Sequence, residues 1–344
     1  MTKFTFIVAI YNVGPYLTQC IESIIGQTYD YFDILLIDDG STDDSGTICD
    51  NYALKNKNIN VLHQKNQGVS VARNQGLKYA LGDWIIFVDG DDWVEKDLCS
   101  SIAKNLNETM DVCFYSYYEN RFDIVKNHAK VDQFIVEEYG RHELDEIEKA
   151  VFTMNNYQWT NAASIWAKAF RRDFLIKYNL KFKERQINSQ DTIFALYAYE
   201  FARKGIFINK PLYHYRILKT SVSRKYNGNI ITIYNDFLKS IEEFVSVYKN
   251  NEEFWNLYYF RTLRNLMVAV TLNYSHPNNT KSYIQRRKEF NQIIRTSPYS
   301  IALRKVKIKA FTVPEKVLAF AVKYRCFFIA DMLNHLRCKF VYKE

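Results

Sequence analysis

Three polar clusters in the first hundred residues carry the side chains needed to hold a metal and a phosphate. They are Tyr11-Asn12, Asp38-Asp39-Gly40-Ser41 and Asp89-Gly90-Asp91-Asp92. Each directly follows a short apolar run: FTFIVAI (Phe4 to Ile10), FDILLI (Phe32 to Ile37) and WIIFV (Trp84 to Val88). Carboxylates crowded together repel and raise each other's pKa unless a cation sits among them. An oxygen-only donor set suits Mg²⁺ or Mn²⁺, which in turn bridge phosphates. Taken singly, these aspartates also read as turn formers and helix caps. Their combination points to a metal–nucleotide site.

The clusters share a crevice only if the runs before them are parallel strands, which deliver their C-terminal ends to one edge. The pattern supports that. Between the runs, Leu17, Ile21, Ile24 and Ile25 recur at helical spacing. Asp43 to Asn56 reads as a helix with Ser41 and Thr42 as caps, and Val69 to Ala80 as a third helix. Val61 to His63 and Val112 to Tyr117 read as strands, with a helix at Lys96 to Leu106 between them. Strands alternating with helices imply an α/β fold with a mainly parallel sheet flanked by helices. Further on, Glu143 to Met154 and Ser189 to Arg203 look helical, and Ile206 to Ile208 and Leu212 to Ile217 extended, separated by Pro211.

From Ile230 the pattern changes to helix after helix: Ile230 to Lys249, Glu252 to Asn273, Lys281 to Ile294 and Pro314 to Leu336. RKYNGN, Arg224 to Asn229, reads as a loop. It divides a domain of residues 1–224 from a helical C-terminal region of residues 225–344. Net charge is +8, but residues 281–344 hold 15 Lys and Arg against 4 Asp and Glu, so the basic character belongs to that region. Interleaved with apolar residues, it fits either the anionic face of a membrane or a helical cap. No nucleic-acid reader motif accompanies the charge.

The N-terminal MTKFTFIVAIYN reads as a strand and not as a leader, and no long apolar run is free of charge. The six cysteines form no C-x-x-C pair and no zinc-like cluster, so they are expected as reduced thiols in a cytoplasmic protein. Neither G-x-G-x-x-G, nor G-x-x-x-x-G-K-[ST], nor G-x-S-x-G occurs, which removes support for a dinucleotide enzyme, a P-loop NTPase and a serine hydrolase.

Over its first ~220 residues the chain resembles the inverting glycosyltransferases of family 2, which have the GT-A fold. The matching stretches are VAIYNVGPYLTQCIESIIGQTY, ILLIDDGSTDDSG, NQGVSVARNQGL, GDWIIFVDGDDW, WAKAFRRDFL, QDTIF and HYRILKTSVSR. The resemblance implies a UDP-sugar donor pocket at Ala9, Tyr11, Asp39, Arg73, Asp89 and Gly90. Tyr11 would stack on the uracil, Asp39 accept a base N–H and Asp89 face the ribose. It implies Asp91 as the ligand of Mg²⁺ or Mn²⁺, His214 reaching the metal or the diphosphate, and Asp191 as the catalytic base. Asp92 is expected to cap the helix near Lys96.

Two positions depart from the family. Ala9 stands where Pro is common, a structural change only. Gln190 stands where Glu commonly precedes the base, which bears on acceptor geometry more than on catalysis. The expected reaction moves a hexose or N-acetylhexosamine to a glycan or lipid-linked glycan acceptor, at the cytoplasmic face of a membrane or free of it, with oligomerisation left open. A sugar nucleotidyltransferase would share the crevice but would carry a Gly-rich, Lys/Arg-containing loop where this chain has YNVGPY. A catalytically inactive nucleotide-sugar scaffold is the third reading.

Overall fold

The computed structural model describes residues 1–121, 124–129, 135–155, 157, 160–218 and 226–341. The chain divides into two compact units, Met1–Leu218 and Lys219–Glu344. The loop expected at Arg224 to Asn229 lies just past that division, and Arg224 and Lys225 fall outside the described residues.

The first unit runs β1 (Phe4–Ile10), α1 (Gly14–Ile25), β2 (Phe32–Asp38), α2 (Ser45–Lys55), β3 (Ile59–His63), α3 (Val69–Tyr79) and β4 (Trp84–Asp89). It continues through β5 (Trp93–Val94), α4 (Leu98–Ala103), β6 (Val112–Arg121), β7 (Ile124–Asn127), β8 (Val136–Tyr139) and α5 (Arg141–Thr153). It closes with β9 (Lys168–Arg171), α6 (Arg172–Lys177), α7 (Gln190–Phe201) and β10 (Gly205–Arg216). The sheet order is β3-β2-β1-β4-β9-β6-β10-β5, with β7 on β6 and β8 on β10.

Strands β3, β2, β1 and β4 are parallel, as are β6 and β10. Between these two groups, β9 lies antiparallel to both β4 and β6. Its sequence, KAFR, is too short and too basic at its ends to announce a strand; the ladders on either side impose that state. The two extended pieces expected around Pro211 form one strand, β10. Its register with β6 shifts on both sides of that proline, which has no N–H to give the ladder.

Residues Phe6, Val8 and Ile10 of β1, Ile34 and Leu36 of β2, and Ile86 and Val88 of β4 bury one face of the sheet. They pack with Leu17, Ile21 and Ile24 of α1. On the other face α3 lies so close to β1 that a Cβ at Gly76 would come 2.4 Å from Ile7 Cγ2. There too, Phe87 of β4 meets Phe170, Phe182 and Phe194 with ring centroids 6.2, 5.3 and 6.0 Å away. Phe182 and Phe194 stack at 4.3 Å. Such aromatic pairs add ~0.5–1.5 kcal/mol beyond the area they bury. Phe194 lies one turn after Asp191, so this cluster fixes the start of α7.

The second unit is helical: α8 (Ile230–Tyr248), α9 (Glu252–Ala269), α10 (Tyr283–Ile293), α11 (Tyr299–Lys305), α12 (Val313–Lys323) and α13 (Phe327–Val341). The single helix expected over Pro314 to Leu336 is two. Arg325 adopts a left-handed φ of 60°, and the Cys326 N–H reaches back 2.7 Å to the Ala321 carbonyl, which satisfies the orphan carbonyls of α12 and stops it. Among the described residues no helix is long and apolar enough to cross a membrane. Cys20, Cys49, Cys99 and Cys113 are buried free thiols.

Candidate active site

The strand ends converge as the clusters require. Register pairs Ile10 with Asp38 and Ala9 with Asp89, so the acidic ends of β2 and β4 flank β1 on its two sides. Tyr11, just past β1, is 49% exposed. Asn12 ties this loop to the next, its Oδ1 accepting the Thr42 N–H at 2.8 Å.

Asp38 and Asp39 are both buried, and they organise the loop edge. Burial opposes the Asp38 charge, but hydrogen bonds from Ser41 and His63 outweigh it and hold the carboxyl below its ordinary range. Asp39 Oδ1 accepts from Gln64 Nε2 (2.7 Å) and Gln67 N (2.9 Å), and its Oδ2 from Gly68 N (2.8 Å). Gly40 follows at φ 74°, a backbone state that glycine adopts without strain.

Arg73 of α3 is the centre of the site. It is 4% exposed; Nη2 donates to Asp89 Oδ1 at 2.7 Å and Nη1 to Asp191 Oδ1 at 2.5 Å. Its guanidinium also lies 5.3 Å from the Phe182 ring centroid. Burial works against its charge, but Asp191 and Asp89 more than offset that. Burial likewise pushes the Asp191 carboxyl up, Arg73 draws it back, and the net direction is upward. Burial, with the Asp89 charge second, brings the Asp91 carboxyl up to about 6. Gly90 is buried between them; a Cβ there would come 2.9 Å from Val13 Cγ2.

One expected role needs correcting, and a second residue is held by neighbours. Asp92 does not cap a helix. The helix begins at Leu98, whereas the buried Asp92 carboxylate accepts from the Tyr213 hydroxyl at 2.6 Å and the Arg216 N–H at 2.7 Å. His214 has protein partners on both ring nitrogens. Its Nε2 lies 2.8 Å from Glu95 Oε1 and its Nδ1 3.2 Å from Asn120 Nδ2. A carboxylate partner requires the proton on Nε2, so Nδ1 accepts from the Asn120 amide and neither nitrogen has a lone pair to spare. The ring is stacked between Trp93 and Tyr118, each at 4.6 Å.

Four further residues were not singled out from sequence. Asn74, beside Arg73 in ARN, clamps the chain before α7: its Nδ2 donates to Phe182 O (2.9 Å) and its Oδ1 accepts from Phe182 N (2.8 Å). Lys168, a lone charge in WAKAF, is fully buried, with Nζ 2.7 Å from Asn161 O and 3.2 Å from Ser164 Oγ. Burial brings its ammonium down to about 7 against the attraction of Asp191. Tyr213 joins both acidic residues, since its hydroxyl also accepts the Asp89 N–H at 3.2 Å. Arg216 Nε donates to the Asp91 carbonyl at 2.7 Å and stacks 4.5 Å over Trp93. A separate acidic group, Asp145, Glu148 and Glu200, lies within 4.8 Å of one another, but Arg141 already pairs with Asp145 and Glu148.

A mainly parallel sheet with an acidic strand-end crevice and a buried arginine joining its two sides defines a GT-A glycosyltransferase. The family model for glycosyl transferase family 2 matches residues 5–179, and the chain belongs to that family. It is 30% identical over 228 residues to the putative glycosyltransferase EpsH of Bacillus subtilis, covering 66% of this chain and 64% of that relative. The match therefore spans less than two thirds of EpsH. Its fold is similar to S. aureus TarS 1-349 in complex with UDP-GlcNAc, with a TM-score of 0.67 at 20% identity over 99% of this chain and 93% of that one. It is also similar to the mannosyltransferase PcManGT from Pyrobaculum calidifontis, solved with GDP-Man and Mn²⁺. There the TM-score is 0.53 at 14% identity over 100% of this chain and 88% of that one.

Proposed function

We propose that this chain transfers a hexose or N-acetylhexosamine from a UDP-sugar to a hydroxyl of a growing glycan, with inversion. The observation that carries this reading is the Arg73 bridge, which joins Asp89 on the donor side to Asp191 on the acceptor side. The likeness to a fold solved with UDP-GlcNAc supports the choice of nucleotide. The exposed Tyr11 ring stacks on the uracil, and Asp39 Oδ2 retains capacity for a base N–H. Asp89 meets the ribose, with Ala9, its register partner on β1, and Gly90 beside it. Free buried thiols and a UDP-sugar donor suit work in the cytoplasm.

The residues present fit Mg²⁺ or Mn²⁺ at Asp91. Its carboxylate accepts no hydrogen bond from another side chain among the described residues, and burial, with the Asp89 charge second, brings it up to about 6, so a cation there offsets both. What the ion supplies when bound is positive charge against the departing diphosphate.

Asp191 takes the proton of the acceptor hydroxyl as that oxygen bonds to the anomeric carbon. The bond from that carbon to the diphosphate oxygen breaks, and UDP leaves with the electron pair. Attack opposite the leaving group inverts the centre. Arg73 favours the ionised form of Asp191, while burial keeps the carboxylate basic enough to accept the proton. A screen of UDP-sugars for UDP release by the purified chain, with Mg²⁺ or Mn²⁺ and with a chelator, tests this. Release from at least one UDP-sugar that stops on chelation is expected; no release from any of them by the folded protein overturns it.

A further inference from the structure

Helix α12 is amphipathic in an unusual sense: it presents an apolar line to each side. Its inner side, with Ala319 and Val322, is fully buried. On its outer side Val313, Val317, Phe320 and Tyr324, the last just past the helix end, are 76%, 54%, 47% and 57% exposed. At 100° per residue these four fall within an arc of about 60° and form a line about 16 Å long. The Phe320 and Tyr324 rings touch, with centroids 4.5 Å apart, so the line is continuous at that end. Helix α13 adds Phe328 and Met332, also exposed and one turn apart.

The charge around this line has one sign. Lys316 and Lys323 fall on one flank of α12, the Lys323 ammonium donating to the Val306 carbonyl, and Arg304, Lys305, Lys307, Lys309 and Arg325 are exposed on the segments before and after it. The acidic residues of this stretch are already met. Glu315 points to the opposite side and pairs with Arg264 at 2.8 Å, and Asp331 pairs with Arg286 at 2.6 Å. An exposed apolar line beside cations that have no acidic partner among the described residues is the pattern of a helix that lies in the headgroup region of an anionic bilayer. A second copy of this chain would bring two basic rims together, and a nucleic acid would match the charge but leave the apolar line in water.

We infer that the outer face of α12, Val313–Val317–Phe320–Tyr324 with its lysine flank, docks this protein on an anionic phospholipid surface. This goes beyond the proposed transfer reaction and does not depend on it. The test uses the full chain and vesicles of phosphatidylcholine with and without phosphatidylglycerol. Co-sedimentation is expected only with the anionic vesicles, weakening as salt rises because the attraction is screened over ~10 Å at 0.1 M. Replacing Val317, Phe320 and Tyr324 together by Ser should weaken it at least ~10-fold with circular dichroism unchanged, since each of these residues is about half exposed in the free protein. A Phe320→Trp variant should shift its emission to the blue on anionic vesicles. Three outcomes overturn the inference: no binding to anionic vesicles at low salt, undiminished binding by the triple variant, or a solution dimer that the triple variant dissolves.

Discussion

Asp89 and Asp191 are held by one guanidinium: Arg73 Nη2 lies 2.7 Å from Asp89 Oδ1 and Arg73 Nη1 2.5 Å from Asp191 Oδ1. The first ends strand β4 and the second opens helix α7, so the arginine links these two elements across the strand-end crevice. It sets the distance between them and offsets the repulsion of two carboxylates in a buried setting.

Arg73→Lys should therefore fail although the charge is kept. An ammonium is a point charge and cannot donate in two fixed directions at once. Loss of one charge-assisted hydrogen bond of ~1.5–3 kcal/mol predicts a fall of roughly 10- to 100-fold in kcat/KM. Steady-state kinetics with the preferred UDP-sugar measures it; wild-type kinetics in Arg73→Lys would show that the two-pronged contact is dispensable.

Asp191→Asn is nearly isosteric and leaves an acceptor for Arg73. UDP affinity, measured by calorimetry, should stay within a few-fold while transfer falls ~10²–10⁴-fold, the usual range for removal of a general base. If affinity collapsed and the rate did not, Asp191 would be a donor-binding residue.

Asp91 and Asp92 are adjacent but should respond in opposite ways. Asp91→Ala removes the proposed metal ligand and no side-chain hydrogen bond among the described residues, so the fold should survive while metal-dependent UDP release drops at least ~100-fold. Asp92→Ala strands the Tyr213 hydroxyl and the Arg216 N–H in a buried place, at a cost of ~1–3 kcal/mol for each unsatisfied group. Urea unfolding of both variants checks the contrast, and equal stability of the two would contradict it.

His63 makes stability depend on pH. Its Nε2 is 3.0 Å from Asp50 and its Nδ1 2.9 Å from Asp38, and these hydrogen bonds, Asp50 first, raise its pKa above the ordinary value. A histidine pKa raised by folding stabilises fully below its unfolded value of ~6.5, and the gain fades as pH rises through the folded value. The stability difference between wild type and His63→Gln should thus be larger at about pH 6 than at about pH 9. A difference that grew with pH would show that His63 is not the charged partner of these carboxylates.

Much of the first unit was legible along the chain. Strands β1, β2 and β4 are covered on both faces, so burial writes itself into their sequence as unbroken apolar runs, and the helices between them show their period just as directly. Because parallel strands end at one edge, the sequence alone assigns the acidic clusters after them to a common crevice. Arg73, Asp89 and Asp191 could each be picked out as candidates from the motifs around them. Contacts between residues distant in sequence leave no local period, and these only the tertiary structure decided. No pattern in KAFR shows that its neighbours' ladders hold it as β9. Nothing near Asp92 announces that Tyr213 and Arg216 supply its hydrogen bonds, and the HYR motif does not reveal that Glu95 and Asn120 occupy both nitrogens of His214. The joining of Asp89 to Asp191 through Arg73 is of the same kind: three local signals that became one site only when α3, β4 and α7 packed together.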